Sequence, residues 1–366
     1  MRRSVIRAAL LVALAAVPLS PPVAAEATRT LKVEIPPSAA RFAIENLAGT
    51  MRVAPGSGDT VVAVATVHAE SEDLAAAVRF ESASGSAGVE TFRVRYPYAK
   101  STSFRYPGSG EKGDSYGWLT SFLGGGTTTT YDGRKVKVSG SSGVLVYADL
   151  EIQVPRRAVE GAFRNVVGSL DAAGVEGRLR FDTGSGKITL DGIKGEVKAD
   201  AGSGDVKATN LEGSFDCDTG SGDCVLDGFR GDIVSCDVGS GDMRLSSIVA
   251  RKITTDAGSG DVLAVDIDVV EIDTDAGSGD VEVSAKGTRL ERVRADAGSG
   301  DLTLKLGPDA SFEAYADQGS GEIVNRYADA EPIVKGREVI GYRRGTGQTR
   351  IDFDAGSGDL VLEPGS

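Results

Sequence analysis

The chain has 366 residues, 40 lysines and arginines against 53 aspartates and glutamates, and a formal net charge of −13. That balance argues against nucleic acid and anionic membranes as partners and leaves cations or basic surfaces open. Its 49 glycines, about twice the usual share, favour many tight turns, and its single histidine, His68, disfavours a His-based triad or a poly-His metal site.

Residues 1–25 read as a secretory signal peptide. Met1-Arg2-Arg3 and Arg7 form a positive start, residues 8–19 an apolar run too short to span a bilayer comfortably, and Val23-Ala24-Ala25 a small-residue cleavage site. The mature chain is expected to begin near Glu26, and loss of Arg2, Arg3 and Arg7 takes the charge from −13 to −16. No cysteine follows the apolar run and no second spanning run appears. The product is expected to be soluble, in the periplasm or outside the cell, with no transmembrane segment.

Residues 26–98 show period-two alternation in Leu31-Lys32-Val33-Glu34-Ile35 and over residues 61–67, the pattern of half-buried strands. Ser57 sits in a Gly-Ser-Gly-Asp, so this segment reads as a degenerate part of the repeat that follows. Residues 99–142 are rich in Gly, Ser, Thr and Tyr, hold the only tryptophan, and read as a long loop or insertion. Aromatics among small polar residues suit a glycan or protein contact, which makes Tyr106, Tyr116, Trp118 and Tyr131 candidate ligand-binding residues. The plainer reading folds those rings onto the side of the repeat.

Residues 143–366 form the repeat proper. Serines at the centre of Gly-Ser-Gly stand at 185, 203, 221, 240, 259, 278, 299, 320 and 357, in steps of 18, 18, 19, 19, 19, 21, 21 and 37. The last step reads as two rungs with one motif lost. A period near 19 residues marks a solenoid whose neighbours must stack to bury a core. Three residues after each serine stand Ile188, Val206, Cys224, Met243, Val262, Val281, Leu302, Ile323 and Leu360; six before stand Leu179, Val197, Phe215, Val234, Ile253, Ile272, Val293, Ala314 and Ile351. Polar residues alternate with these columns, so each turn is flanked by two half-buried strands. The expected fold is all-β, a parallel β-solenoid of about 19-residue rungs, with Gly supplying turn conformations that a Cβ would hinder.

Two acidic columns accompany the turns. Three before the serine are Asp200, Asp218, Asp237, Asp256, Asp275 and Asp296, with Asp182, Asp317 and Asp354 at the ends; two after it are Asp205, Asp223, Asp242, Asp261, Asp280 and Asp301, then Glu322 and Asp359. In-register stacking puts like charges about 5 Å apart, at about 1 kcal/mol per pair in water. Either the carboxylates accept turn N–H groups, or Ca²⁺ sits between rungs, held by clustered carboxylate and carbonyl oxygens. Ca²⁺ is the one cofactor these columns suggest, and the twelve central aspartates are its candidate ligands.

Phe181-Asp182-Thr183-Gly184-Ser185 and Cys217-Asp218-Thr219-Gly220-Ser221 spell an aspartic-protease signature, but both fall in register with the other repeats, which explain them. Cys217 and Cys236 share a column in adjacent rungs, within disulfide range if the rungs stack, and Cys224 lies in another inward column; all three also read as small buried apolar residues.

The alternating strand ending in Val154-Pro155, the weak Gly-spaced rungs after it and the repeated Asp-Ala-Gly-Ser-Gly-Asp-Val resemble the bacterial "putative adhesin" β-strand-repeat family, across roughly residues 30–365 apart from 99–142. The resemblance implies a β-repeat fold and surface adhesion, and brings no catalytic residues. The expected function is an exported, non-catalytic, adhesin-like or envelope-structural module whose partner is a cell-surface glycan or protein. Two alternatives stand: a parallel β-helix polysaccharide-active enzyme of the lyase kind, with Arg343, Arg344 and Arg350 as its nearest basic candidates, and a ligand-free spacer.

Overall fold

The computed structural model describes residues 26–35, 41–84, 88–110, 126–286, 289–318 and 321–365. The signal-peptide reading of residues 1–25 lies outside the described residues. Those described are nearly all β: thirty strands, one short helix Glu72–Ala77, and a single 3-10 turn at Pro107–Gly110.

Each rung places one strand on face one, crosses a Gly-Ser-Gly turn, and places a second on face two. On face one the register runs Leu179, Val197, Phe215, Val234, Ile253, Ile272, Val293, every step parallel. On face two it runs Ile188, Val206, Cys224, Met243, Val262, Val281, Leu302. The period-two alternation turns both columns toward one shared interior. Leu190, Val206, Leu226, Leu245, Val293 and Leu304 are fully buried there. At about 25 cal/mol per Å² of apolar surface, this interior is what stacking gains and a lone rung lacks.

The second corner of each rung starts at Gly192, Asn210, Gly228, Ser247 and Asp266, all with φ between +54° and +76°. It falls just before the buried apolar residue eight after the serine, Ile193, Leu211, Phe229, Ile248 and Ile267. Asn, Asp and Ser tolerate that left-handed backbone because their short polar side chains bond locally. In the strands Val206–Thr219 and Cys224–Val238 the chain passes this corner unbroken, from face two back to face one.

The C-terminal end departs from chain order. Strands Thr349–Ala355 and Leu360–Pro364 do not extend the stack past residue 325. They insert between the rung of Arg292–Ala297 with Leu302–Leu306 and the rung of Phe312–Gln318 with Ile323–Asn325. The step of 37 is therefore a return, not two rungs with one motif lost. The hairpin Glu331–Lys335 and Glu338–Arg344 then lies antiparallel on the outer side of Phe312–Gln318. An antiparallel cover ends the parallel stack on that face, which limits further edge pairing.

The N-terminal end is built similarly. Arg41–Ala48 and Met51–Pro55 form a true rung, parallel to Val159–Val167 and Leu170–Ala173. Its turn is Ala48-Gly49-Thr50; the Gly-Ser-Gly-Asp around Ser57 lies beyond its second strand. Strand Arg79–Ser84 covers Glu90–Arg95 antiparallel on face one, while Val61–Ala69 lies antiparallel between Ala27–Ile35 and Val144–Val154 on face two.

The segment 99–142, read as a long loop or insertion, holds strands. Ser103–Arg105, Thr127–Tyr131 and Arg134–Ser139 pair with one another and with Val144–Val154. Phe104, Tyr131, Val136 and Val138 are buried, a core that small polar neighbours obscure in the sequence. Among the described residues no helix is long and apolar enough to cross a membrane.

Candidate functional site

The Gly-Ser-Gly turns stack as tightly as the strands. A Cβ on Gly260 would sit 1.8 Å from the Gly241 carbonyl oxygen, and one on Gly222 would sit 2.2 Å from that of Gly204. No side chain fits, which is why that position is glycine in every such turn.

This close stacking sets the geometry of the acidic column that follows the turn. The backbone N–H of each aspartate donates to the carboxylate of the neighbouring rung: Asp223 to Asp205 at 3.3 Å, Asp242 to Asp223 at 2.9 Å, Asp261 to Asp242 at 3.1 Å, Asp280 to Asp261 and Asp301 to Asp280 at 2.9 Å. The ladder then follows spatial order, with Asp359 donating to Asp301 at 2.8 Å and Glu322 to Asp359 at 2.7 Å. One oxygen of each acceptor is engaged by backbone, a charge-assisted bond that offsets the repulsion along the row. The carboxylates run in line, and among the described residues no group of three or more His, Cys, Asp or Glu is placed to hold a metal ion.

The column before the turn lies on face one. Asp182, Asp200, Asp218, Asp237, Asp256, Asp275, Asp296, Asp354 and Asp317 are successive register partners. Partial burial, then the charges of Asp256 and Asp218, raise the Asp237 carboxyl above its ordinary range. Burial, then Asp256 and Asp296, do the same to Asp275. Asp182 is also raised by burial, opposed by Arg164. Near the N-terminal end basic residues compensate: Arg180 meets Asp200 at 2.7 Å and Lys198 meets Asp216 at 2.8 Å.

Among the described residues, face one carries a larger and a smaller groove. The larger, about 640 Å³, is lined by Thr254, Asp275, Arg294, Asp296, Tyr315 and Asp354, among others. It exists because the C-terminal rung inserts between Arg294 and Tyr315, bringing Asp352 and Asp354 in beside Asp296. The Arg350 guanidinium lies 4.0 Å from the centre of the Tyr315 ring. The smaller groove, about 390 Å³, lies at the other end and mixes Arg41, Arg178, Arg180 and Lys198 with Glu160 and Glu196.

The aromatic candidates are placed differently from the expected contact surface. Tyr131 is buried, and its hydroxyl donates to the Glu45 carbonyl at 3.1 Å and the Val94 carbonyl at 3.0 Å. Tyr106 is buried with its ring 5.2 Å from that of Tyr147. Tyr116 and Trp118 lie outside the described residues. Arg343, Arg344 and Arg350 are paired with Glu313, Asp329 and Asp352 at 2.5–2.6 Å. The groove residues Arg294 and Tyr315 escape a reading of the sequence, although Tyr315 is the one aromatic in the outward column five before the serine.

A family model described as Toastrack DUF4097 matches residues 133–363. No curated protein matches the chain. Among solved structures the chain is similar to a "putative lipid binding protein" from Parabacteroides distasonis, 13% identical over 92% of this chain and 96% of that one, with a TM-score of 0.41. It is similar also to a "putative adhesin" from Bacteroides fragilis, 9% identical over 93% and 98% with a TM-score of 0.34. A third is a "putative cell adhesion protein" from Clostridium sporogenes, 10% identical over 93% and 100% with a TM-score of 0.21.

Proposed function

The chain belongs to the Toastrack DUF4097 family, and we propose that it is an exported, non-catalytic binding module of adhesin-like kind that holds a cell-surface glycan or protein in the larger face-one groove. The observation that carries this reading is the groove's make-up: a cleft of about 640 Å³ on a rigid sheet, with carboxylates, a threonine, a guanidinium and a tyrosine ring turned outward. Carboxylates accept from hydroxyls or ammonium groups, Arg294 donates, and Tyr315 offers apolar area at low entropic cost. Export is supported by the leader-like residues 1–25, and the non-catalytic role by arginines that are each engaged by a carboxylate.

The test is a glycan array and a cell-binding assay with the chain from Glu26 onward. Arg294→Ala with Tyr315→Ala is expected to weaken the bound partner at least about tenfold, the equivalent of one lost charge-assisted bond, with the melt unchanged. Binding indifferent to both substitutions removes the groove from the reading, and no binding at all favours the spacer. Cleavage of a bound glycan would establish the polysaccharide-active enzyme instead.

A further inference from the structure

All three cysteines of the 366-residue chain meet at one place in the core. Cys217 and Cys236 are register partners in adjacent strands of face one. Cys224 faces them from face two, two residues past the Gly220-Ser221-Gly222 turn, where the two faces converge. All three are buried, and the Cys224 and Cys236 sulfurs are 3.7 Å apart.

The sequence alone offers the in-register pair, Cys217 and Cys236, beside the reading of all three as small buried apolar residues. In-register neighbours of a parallel sheet, however, project side by side, whereas a disulfide needs its two Cβ–S bonds crossed at about 90°. Cys224 faces both across the core and Cys217 contacts both thiols, but it is to the Cys236 sulfur that the Cys224 thiol donates, at 3.7 Å.

We propose that Cys224 and Cys236 form a disulfide that ties face one to face two across the core, leaving Cys217 as a buried thiol. The inference rests on the export reading only for the oxidising surroundings in which the bond persists. Each thiol loses its proton, the two sulfurs join, and the electron pair passes to an incoming disulfide, which leaves as two thiols. That oxidant is oxidised glutathione or the disulfide of a thiol oxidoreductase. All three thiols stand well above the ordinary thiol range in the folded protein, each raised by one neighbouring thiol and lowered by the other, with burial raising all three, so exchange there is slow. The bond therefore forms before these rungs close, and the closed core protects it.

The test refolds the denatured, reduced chain with oxidised glutathione, then alkylates under denaturing conditions and cleaves before aspartate. Asp218, Asp223, Asp227, Asp232 and Asp237 separate the three cysteines. The expected result is peptide 223–226 joined to peptide 232–236, with alkylation at Cys217 alone. Cys217→Ser should keep the bond and a melt that reductant lowers; Cys224→Ser should lose both, and a reductant-insensitive melt for it shows that it still folds. Three alkylated cysteines, or a joined pair that includes Cys217, overturn the proposal. Because refolding is done in vitro, that failure leaves the export reading untouched, which is checked separately by whether secreted material begins at Glu26.

Discussion

The middle of the solenoid and its two ends solve different problems with the same strands. Between residues 176 and 306 each rung stacks on the one before it in chain order, and the inward columns and the Asp182–Asp296 column are continued by similar residues. At the ends the order breaks. The C-terminal rung slips one place inward, antiparallel strands cover the stack, and the first rung adds a buried polar network to its apolar residues Phe42, Ile44, Met51 and Val53. There Asn46 donates to Asn165 at 3.1 Å, Asn165 to the Gly49 carbonyl at 2.7 Å, and the Tyr96 hydroxyl to Asn46 at 3.0 Å. The middle is stabilised by repetition, whereas the ends must stop repetition before an open edge recruits another chain. The larger groove spans the two, because the inserted rung brings Asp352 and Asp354, with Tyr315 beyond them, alongside Thr254, Asp275 and Arg294 of the middle.

Breaking a stacked turn in the middle should have the largest effect. Gly260→Ala puts a methyl 1.8 Å from a backbone oxygen and 2.5 Å from its carbon, so the stack must part there. The expected cost is above about 4 kcal/mol, read as a collapse of the urea midpoint. Gly192→Ala, at a left-handed corner with open space around it, should cost only about 1–2 kcal/mol. Equal costs would mean that the turns do not stack in register.

The inserted rung gives the next largest effect. Leu360 is fully buried between two neighbours, so Leu360→Ala should cost about 2–5 kcal/mol, although it lies six residues from Ser366. Ile323, in the outer rung, is only half-buried and should cost less. Hydrogen exchange makes the same distinction: residues 349–364 should exchange more slowly than residues 312–325. The reverse order would restore a stack in simple chain order.

The two aspartate columns should give the smallest and most specific effects. Asp242→Ala removes the acceptor for the Asp261 N–H and should cost about 1 kcal/mol at that exposed site. Asp237→Asn and Asp275→Asn remove a crowded charge and should be neutral or stabilising. The raised carboxyls of Asp237 and Asp275 mean that the folded state binds protons more readily than the unfolded one. Stability should therefore rise as pH falls from neutral through their raised values. Below the ordinary carboxylate range the lowered groups Glu81, Glu160 and Glu313 reverse the trend as they protonate. The double substitution should flatten the rise and leave the acid loss in place, as read by melting temperature against pH.

Much of the fold is legible in the sequence because the alternation is local. Hydrophobic columns at fixed offsets from Ser185, Ser203 and their successors specify strands, turns, parallel stacking and the inward face. The acidic columns are legible too, but their bonding is not: the carboxylate of Asp223 serves the N–H of Asp242, nineteen residues on, rather than its own turn. Tyr131 reads as a contact-surface aromatic because its neighbours are threonines, yet it is buried with its hydroxyl on the Glu45 and Val94 carbonyls. The step of 37 reads as a gap because counting along the chain carries no information on which rung is whose neighbour.

What the sequence determined by itself was the rung: its length, its two faces, its turn and its buried columns, all set by contacts within about 20 residues. What only the tertiary structure decided was the order of rungs at the ends, the groove that this order creates, and which cysteine faces which. The physical reason is degeneracy. Every rung presents nearly the same apolar and acidic columns, so any rung can pair in register with any other. The choice among them falls to the few irregular residues that must cover an edge.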